Sequence, residues 1–315
     1  MPAIHKSKQY WLVALKVLLL VVAFAYLYLK IKDESVIVSP FLKKSFNTTT
    51  KFLLLLPFIV LACINWLLEI VKWKTVVQTN FPISFTNATK QSLGSLTASI
   101  ITPNRIGEYG AKALYFSKEK RKKILFLNFV HNSSQLLATL LFGIPAFVFF
   151  LWKYRIPLAQ NTIILTVLIL FALLLIGFVF RKRQLGIKGF SFENLWKHFK
   201  EISTNNKIVI IAISLLRYAI FSTLYTIMLQ FFGAHQSYLE VAPVVFSAYL
   251  LVSVIPSYFL ADVVIRGSVA VWLFSFLNIP EITVLTTVFF MWLLNVVIPA
   301  IFGSYYVLTF KTSKQ

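Results

Sequence analysis

Apolar residues in this chain gather in long unbroken runs, with polar residues confined to short segments between them. Six runs are long enough to cross a bilayer: 11–29, 52–71, 124–151, 161–180, 208–232 and 282–310. A spanning helix needs about 20 predominantly apolar residues, so each run predicts one transmembrane helix. Two regions break the pattern. Residues 88–102 are rich in Ser, Thr, Gly and Ala, stop at Thr102-Pro103, and lead into an amphipathic stretch from Ile106 to Phe116. Residues 241–259 are apolar but contain Pro243 and Pro256, and a short helical run from Val263 to Leu277 follows. Proline lacks the N–H that a helix interior needs, so each region predicts two short helices joined at a break.

The two broken regions are similar to each other. The first reads Ser99-Ile-Ile-Thr-Pro103, then Arg105-Ile-Gly107, with Ala111 and Ala113 beyond. The second reads Ser253-Val-Ile-Pro256, then Ile265-Arg266-Gly267, with Ala270 beyond. Each predicts a re-entrant hairpin that enters the membrane and leaves on the same side. Irregular backbone at that depth is tolerated only when buried in protein or lining a wet cavity.

Composition and charge narrow the class. Hydrophobic residues make up 58% and charged residues 13%, against about 45–50% and about 25% in soluble domains. A soluble enzyme, a disordered tail and a disulfide scaffold are excluded, the last because Cys63 is the only cysteine. The formal charge of +21 would suggest nucleic acid in a soluble chain. Here the basic residues sit between apolar runs, so they mark cytoplasmic loops against anionic headgroups, and no nucleic-acid partner is expected. The blocks 117–123 and 181–207 are the densest, residues 233–240 hold no Lys or Arg, and Lys6, Lys8, Lys311 and Lys314 flank the ends. Both termini are then cytoplasmic and the 30–51 loop external.

The expected fold is an all-α polytopic membrane protein, a single integral membrane domain over 1–315 in the cell membrane. It has about six transmembrane helices and two re-entrant helical hairpins in inverted repeats. Repeat unit one covers 52–151, repeat unit two 208–310, and the connecting span and basic loop 161–207. Broken helices meeting near the midplane are a transporter architecture; two proline-kinked hairpins without symmetry are the plainer alternative.

Arg217 lies in the middle of the run 208–232. A charge there costs at least about 2.5 kcal/mol on insertion scales, so it needs a polar cavity or an acidic partner, with Glu108 and Asp262 as the expected acids. In Thr102-Pro-Asn-Arg-Ile-Gly-Glu108, Pro103 ends one helix, Asn104 is placed to cap the next, and Gly107 permits close backbone approach. Glu108 and Lys112, and likewise Asp262 and Arg266, are four apart and can pair on one helix face. If the hairpin tips meet, Arg105, Glu108, Arg217, Asp262 and Arg266 converge. Arg105, Arg217, Arg266 and Lys112 are the candidates to hold a lipid phosphate, with Glu108 and Asp262 balancing them or coupling a proton. Asn128, His131, Asn132 and Gln135 form one polar helix face, read either as interhelical hydrogen bonding or as a cavity lining with His131 carrying a proton. Asn65 and Glu69 make a smaller polar pair. The histidines show no metal-ligand spacing, there is no P-loop and no Gly-x-Ser-x-Gly elbow, and no metal, cofactor or catalytic residue is expected.

The string Thr102 to Glu108, followed by a basic helix, is similar to the motif of the lysylphosphatidylglycerol synthase transmembrane-region family of flippase-like proteins. Asn65 with the Trp-rich end of its span, Leu216-Arg-Tyr218, and the segment from Pro256 to Arg266 agree with it. The second hairpin departs from the family pattern: a Gly-rich turn followed by Arg-Glu is replaced by Ala261-Asp-Val-Val-Ile-Arg-Gly267. The resemblance implies a membrane domain that handles a lipid. In full-length synthases a separate soluble domain aminoacylates phosphatidylglycerol, and the chain as read carries no such domain. The function expected is a flippase or transporter for an anionic or polyprenyl-linked lipid. The alternatives are a non-transporting partner of a separate envelope-synthesis enzyme and an intramembrane lipid transferase. A homodimer is permitted and not demanded.

Overall fold

A computed structural model of the chain describes residues 55–100, 102, 105–156, 198–255 and 259–310. The expected spans 11–29 and 161–180, the 30–51 loop, and Pro103, Asn104 and Pro256 lie outside the described residues. Of the two compact units, Met1–Leu56 and Pro57–Gln315, the second carries everything discussed below. The described residues are helical, without a strand.

Helix α1 spans Leu55–Gln78, α2 Phe85–Ser99 and α3 Gly107–Leu114. Then come α4 at Arg121–Lys153, α5 at Thr204–Phe231, α6 at Tyr238–Val254 and α7 at Phe259–Ser275. Helix α8 at Glu281–Trp292 runs through a π-helical turn, Leu293–Val297, into α9 at Ile298–Leu308. Among the described residues, α1, α4, α5 and the continuous Glu281–Leu308 rod are long and apolar enough to cross a membrane. They coincide with four of the six predicted runs.

The ends follow local chemistry. Ser84 Oγ accepts from the Asn87 N–H at 3.2 Å and Ser203 Oγ from the Asn206 N–H at 3.3 Å, the usual way to satisfy a first-turn donor. The Glu240 carboxylate accepts from the Ser237 N–H at 2.8 Å, at the start of α6. Helix α1 overruns its predicted end at residue 71 by seven residues. Lys72 does not stop it, because its side chain is buried and lies 3.6 Å from Glu69 Oε2. The π turn sits where Pro299 has no N–H to offer the Asn295 carbonyl. Trp66 Nε1 donates to that carbonyl instead, at 3.2 Å.

Both broken regions are hairpins that return to their starting point. The Tyr115 hydroxyl, just after α3, donates to the Lys90 carbonyl early in α2 at 3.2 Å. Gln236 Nε2, just before α6, donates to the Leu277 carbonyl after α7 at 2.9 Å. At 1.5 Å per residue α2 is about 22 Å long and α6 about 25 Å, short of a hydrocarbon core of about 30 Å. The hairpin mouths lie at opposite ends of α4, a helix about 50 Å long. Helix α4 begins beside the first mouth, and its C-terminal Phe150 and Tyr154 pack on Phe276 at the second, with ring centroids 5.3 and 5.2 Å apart. Helix α9 ends at the first mouth, where Phe310 packs edge-on to Tyr115 at 4.9 Å.

Each hairpin leans on a span from the other half of the chain. The two most extensive helix pairings are α2 with α9 and α6 with α4. A glycine opens each contact: Gly303 of α9 against the Leu93 backbone of α2, and Gly143 of α4 against Phe246 and Leu250 of α6. The bundle's outer face is apolar, with Leu141, Val148, Leu216 and Phe302 exposed, a surface suited to lipid.

Candidate functional site

The hairpin tips and the spans enclose a cavity of about 270 Å³ whose wall includes Arg105, Arg217 and Arg266. Each arginine comes from a different element and is held differently.

Arg105 lies in the link between α2 and α3 with φ +56°, a left-handed conformation uncommon for a side-chain-bearing residue. Thr102 organises the link. Its hydroxyl donates to the Ser99 carbonyl at 2.6 Å and accepts from the Gly107 N–H at 2.9 Å. The Gly107 N–H at the start of α3 thus goes to Thr102; the cap expected from Asn104 lies outside the described residues. Gly107 is needed for the close approach, since a Cβ there would lie 2.8 Å from Thr102 Cγ2.

Arg266 projects from α7. Its Nε is 3.0 Å from Asp262 Oδ2, and Nη2 of Arg105 is 4.0 Å from the same oxygen. One carboxylate therefore joins the tips of both hairpins. Tyr249 of α6 lies beneath the Arg266 guanidinium, 5.9 Å from its ring centroid.

Arg217, from α5, does not pair with Glu108 or Asp262 as expected. Its partner is Glu69 of α1, bound through Nη1. Nη1 also donates to Gln135 Oε1 at 3.1 Å, and Nε to the Asn65 carbonyl and Oδ1 at 3.3 and 3.2 Å. The expected acids are engaged elsewhere: Glu108 by Lys112 at 2.6 Å, Asp262 by Arg266. Glu69 also meets His131 Nε2 at 2.8 Å and Lys72 Nζ at 3.6 Å. Asn65 is tied to the π turn, its Nδ2 donating to Asn295 Oδ1 at 2.9 Å.

Lys112 is not on the cavity wall. It is buried, donates to Asn128 Oδ1 at 3.0 Å, and lies 4.1 Å over the Trp73 ring. Of the polar face on α4, Gln135 alone reaches the cavity. Asn128 holds Lys112, His131 holds Glu69 with its ring edge-on to Trp73 at 5.5 Å, and Asn132 bonds the Tyr109 hydroxyl.

Glu69, Glu108 and His131 offer ligand atoms within 4.8 Å of one another, a grouping that could in principle hold a metal. Lys72, Lys112 and Arg217 already occupy those carboxylates. A divalent ion would add charge where cations are in surplus, so the grouping fits an ion-pair cluster better than a metal site. Among the described residues, the wall itself holds Arg105, Arg217 and Arg266 against Glu69 and Glu108, an excess of one positive charge, while Lys72, Lys112 and Asp262 pair with these groups from outside the wall. Ser92, Tyr218 and Tyr225 also line the cavity, but their hydroxyl oxygens are buried behind its surface and make no hydrogen bond. Sequence reading missed them: a tyrosine or serine in an apolar span reads as packing.

Spanning helices, two hairpins opening at opposite ends, and a cationic cavity between them define a multi-pass all-α membrane protein. The chain belongs to the lysylphosphatidylglycerol synthase TM region family, which it matches over residues 11–303. Comparison with curated proteins and with solved structures finds no match.

Proposed function

We propose that this protein moves a phosphate-bearing lipid, anionic or polyprenyl-linked, across the membrane, holding its headgroup in the cavity between the hairpin tips. The observation that carries this reading is the convergence of Arg105, Arg217 and Arg266 on one cavity whose wall, among the described residues, holds only two acids, Glu69 and Glu108. Guanidinium groups bind phosphate through paired N–H donors, and charges at membrane depth are retained where function needs them. The family supports lipid handling.

The two halves act as inverted repeats. The exchange of hairpins between halves and the mouths at opposite ends of α4 support this arrangement, in which rocking one half against the other opens the cavity to each side in turn. The first mouth carries Lys120, Arg121, Lys122 and Lys123 at the start of α4 and faces the cytoplasm by the positive-inside rule.

The test is transfer of a fluorescent phosphatidic acid between leaflets of liposomes, with fluorescent diacylglycerol as the phosphate-free control. The parent protein accelerates phosphatidic acid alone. Arg105→Gln, which leaves Asp262 its Arg266 partner, slows it about tenfold or more, the loss of a charge-assisted contact. Retention of the lipid without accelerated transfer favours a non-transporting partner of a lipid-synthesis enzyme. Neither retention nor transfer defeats the lipid reading.

A further inference from the structure

We infer that the bundle carries a second lipid site, on its outer face: a resident anionic phospholipid of the cytoplasmic leaflet, with an acyl chain in a groove between α4 and α5 and its phosphate on Lys207. The site is separate from the cavity between the hairpin tips and stands whether or not that cavity moves a lipid.

The groove has a volume of about 330 Å³, within the ~300–1,000 Å³ of ligand sites. Val130 and Ile210 line it as buried residues, Phe129 and Leu137 as exposed ones. The Ser134 hydroxyl is already used: it donates to the His131 carbonyl at 2.8 Å and accepts from Ser214 at 3.0 Å. The groove therefore favours hydrocarbon over water. The Ser134–Ser214 bond also sets the register of α4 and α5. Both helices begin at the same end, where Ile202 and Ile210 pack into one cluster with Phe126 and Leu127. Along α4 the wall runs from Phe126 to Leu137, about 16 Å at 1.5 Å per residue. That is about half of a hydrocarbon core of about 30 Å, the depth of one leaflet.

Charge names the headgroup. Among the described residues, Lys207 is the one charged side chain on the groove wall, and it stands at the shallow end, seven residues before Ser214. Its Nζ lies 4.7 Å from the Phe199 ring centroid. Glu201, two residues past that ring, is already held by Lys123 at 2.7 Å and His198 at 3.0 Å. A lysine without an acid, at the polar end of a leaflet-deep apolar groove, matches a phosphate above an acyl chain. Its stem lies along apolar surface while the ammonium reaches headgroup level. The neighbouring turns, 120–123 and 198–207, carry Lys120, Arg121, Lys122, Lys123, Lys200 and Lys207 against Glu201 alone, which favours a net negative headgroup over a zwitterionic one. An acyl chain in the groove braces α4 against α5 one residue from Gln135, which accepts from Arg217.

The experiment delipidates the full chain, adds back phosphatidylglycerol or phosphatidylethanolamine, and counts retained lipid by native mass spectrometry. It compares the parent with Lys207→Gln, with Ser133→Leu, which puts a side chain into the groove, and with Arg105→Gln, which weakens the cavity alone. The parent and Arg105→Gln both retain a phosphatidylglycerol and melt higher once it is added, as expected of a ligand that binds only the folded state. Lys207→Gln retains about fivefold less, the contribution of one lysine near an anionic surface, and Lys207→Arg restores it. Ser133→Leu also loses it. Without lipid, Lys207→Gln melts with the parent, since that lysine has no acid to lose. No loss in Lys207→Gln, no loss in Ser133→Leu, or phosphatidylethanolamine retained as well as phosphatidylglycerol each overturns the inference. Loss in Arg105→Gln alone also overturns it and places the retained lipid in the cavity. Failure of the groove leaves phosphatidic acid transfer unchanged, and failure of the cavity reading leaves groove retention unchanged.

Discussion

Two carboxylates organise the arginines of this cavity, and they do so in opposite ways. Glu69 sits deep in the bundle with its side chain 16% exposed, meeting Arg217, His131 and Lys72 from three sides. Arg217 in turn spends its remaining donors on Asn65 and Gln135. Asp262, at the hairpin tips, has Arg266 at 3.0 Å and Arg105 at 4.0 Å, with those guanidinium side chains 31% and 36% exposed. The deep cluster is saturated and ties α1, α4 and α5 together. The tip cluster holds two cations on one acid and keeps donor capacity for a ligand. The same residue types thus serve cohesion in one place and recognition in the other, and the number of acceptors available to each guanidinium separates them.

The largest effect is expected at the deep cluster. Glu69→Gln leaves Arg217, Lys72 and His131 around a neutral amide. Removing one member of a buried ion pair costs about 3–5 kcal/mol. Thermal unfolding in detergent will show a large fall in melting temperature, with lipid retention lost along with the fold. A mild shift would mean that Gln135 and Asn65 carry Arg217 without the acid.

Next come the two glycines. A Cβ on Gly303 meets the Leu93 carbonyl and Thr97 of α2, so backbone must move; one on Gly143 meets the Leu250 side chain at 2.8 Å and the Phe246 carbonyl at 3.2 Å. Overpacking costs about 1–3 kcal/mol. Gly303→Ala belongs at the upper end and Gly143→Ala at the lower. Gly303→Ala also displaces the helix that leads to Arg105, so it lowers phosphatidic acid retention in protein that is still folded. Equal melting temperatures for the two variants would show that the first hairpin tolerates displacement as readily as the second.

Asp262→Asn reverses the sign. It releases Arg266 and Arg105 from a competing carboxylate while keeping an oxygen that accepts. Asp262 is itself buried, but its arginines are 31% and 36% exposed and keep water as a partner, so stability falls by about 1–2 kcal/mol, and phosphatidic acid retention rises severalfold. A fall in retention would make Asp262 a positioning residue that aims the two arginines.

The contrast between the clusters also marks what the sequence could reveal. Periodicity and proline placement located four spans and both hairpin breaks, because long apolar runs and missing N–H groups act locally. Arg105, Arg217 and Arg266 were legible as charges that membrane depth makes costly. Their partners were not. Glu69 and Lys72 stand at i, i+3 beside Trp66 and Trp73, a pattern that also fits the polar end of a span. That Arg217 belongs to Glu69, 148 residues away, is settled by how α5 crosses α1, which no local spacing encodes. Lys112 was misplaced for the same reason: its spacing to Glu108 was visible, and its burial against Trp73 and Asn128 was not. A usable signal did exist. A lone acid inside an apolar run, with a lone arginine in another run, predicts their pairing on insertion cost alone.

The smallest effect falls outside the membrane-spanning segments, at a third carboxylate that tests whether exposure alone sets the behaviour of the other two. Glu201 Oε2 accepts from Lys123 Nζ at 2.7 Å and meets His198 Nδ1 at 3.0 Å. The Lys123 bond first and the His198 bond second draw its pKa down from 4.5 to about 2. The depressed folded value fixes the sign: the contact stabilises the fold above pH 4.5 and is lost as the pH falls from there towards 2. Glu201 is 44% exposed, so solvent and salt screen the pair and its contribution is the least of the set. Melting temperatures measured between pH 5 and pH 2 will fall slightly more steeply for the parent than for Glu201→Gln, and the difference will shrink in high salt. Lipid retention at neutral pH will be the same for both, since this cluster reaches neither the hairpin tips nor the cavity. A pH difference that persists in salt would show a carboxylate shielded like Glu69 and would undo the distinction between saturated and screened acids on which the comparison rests.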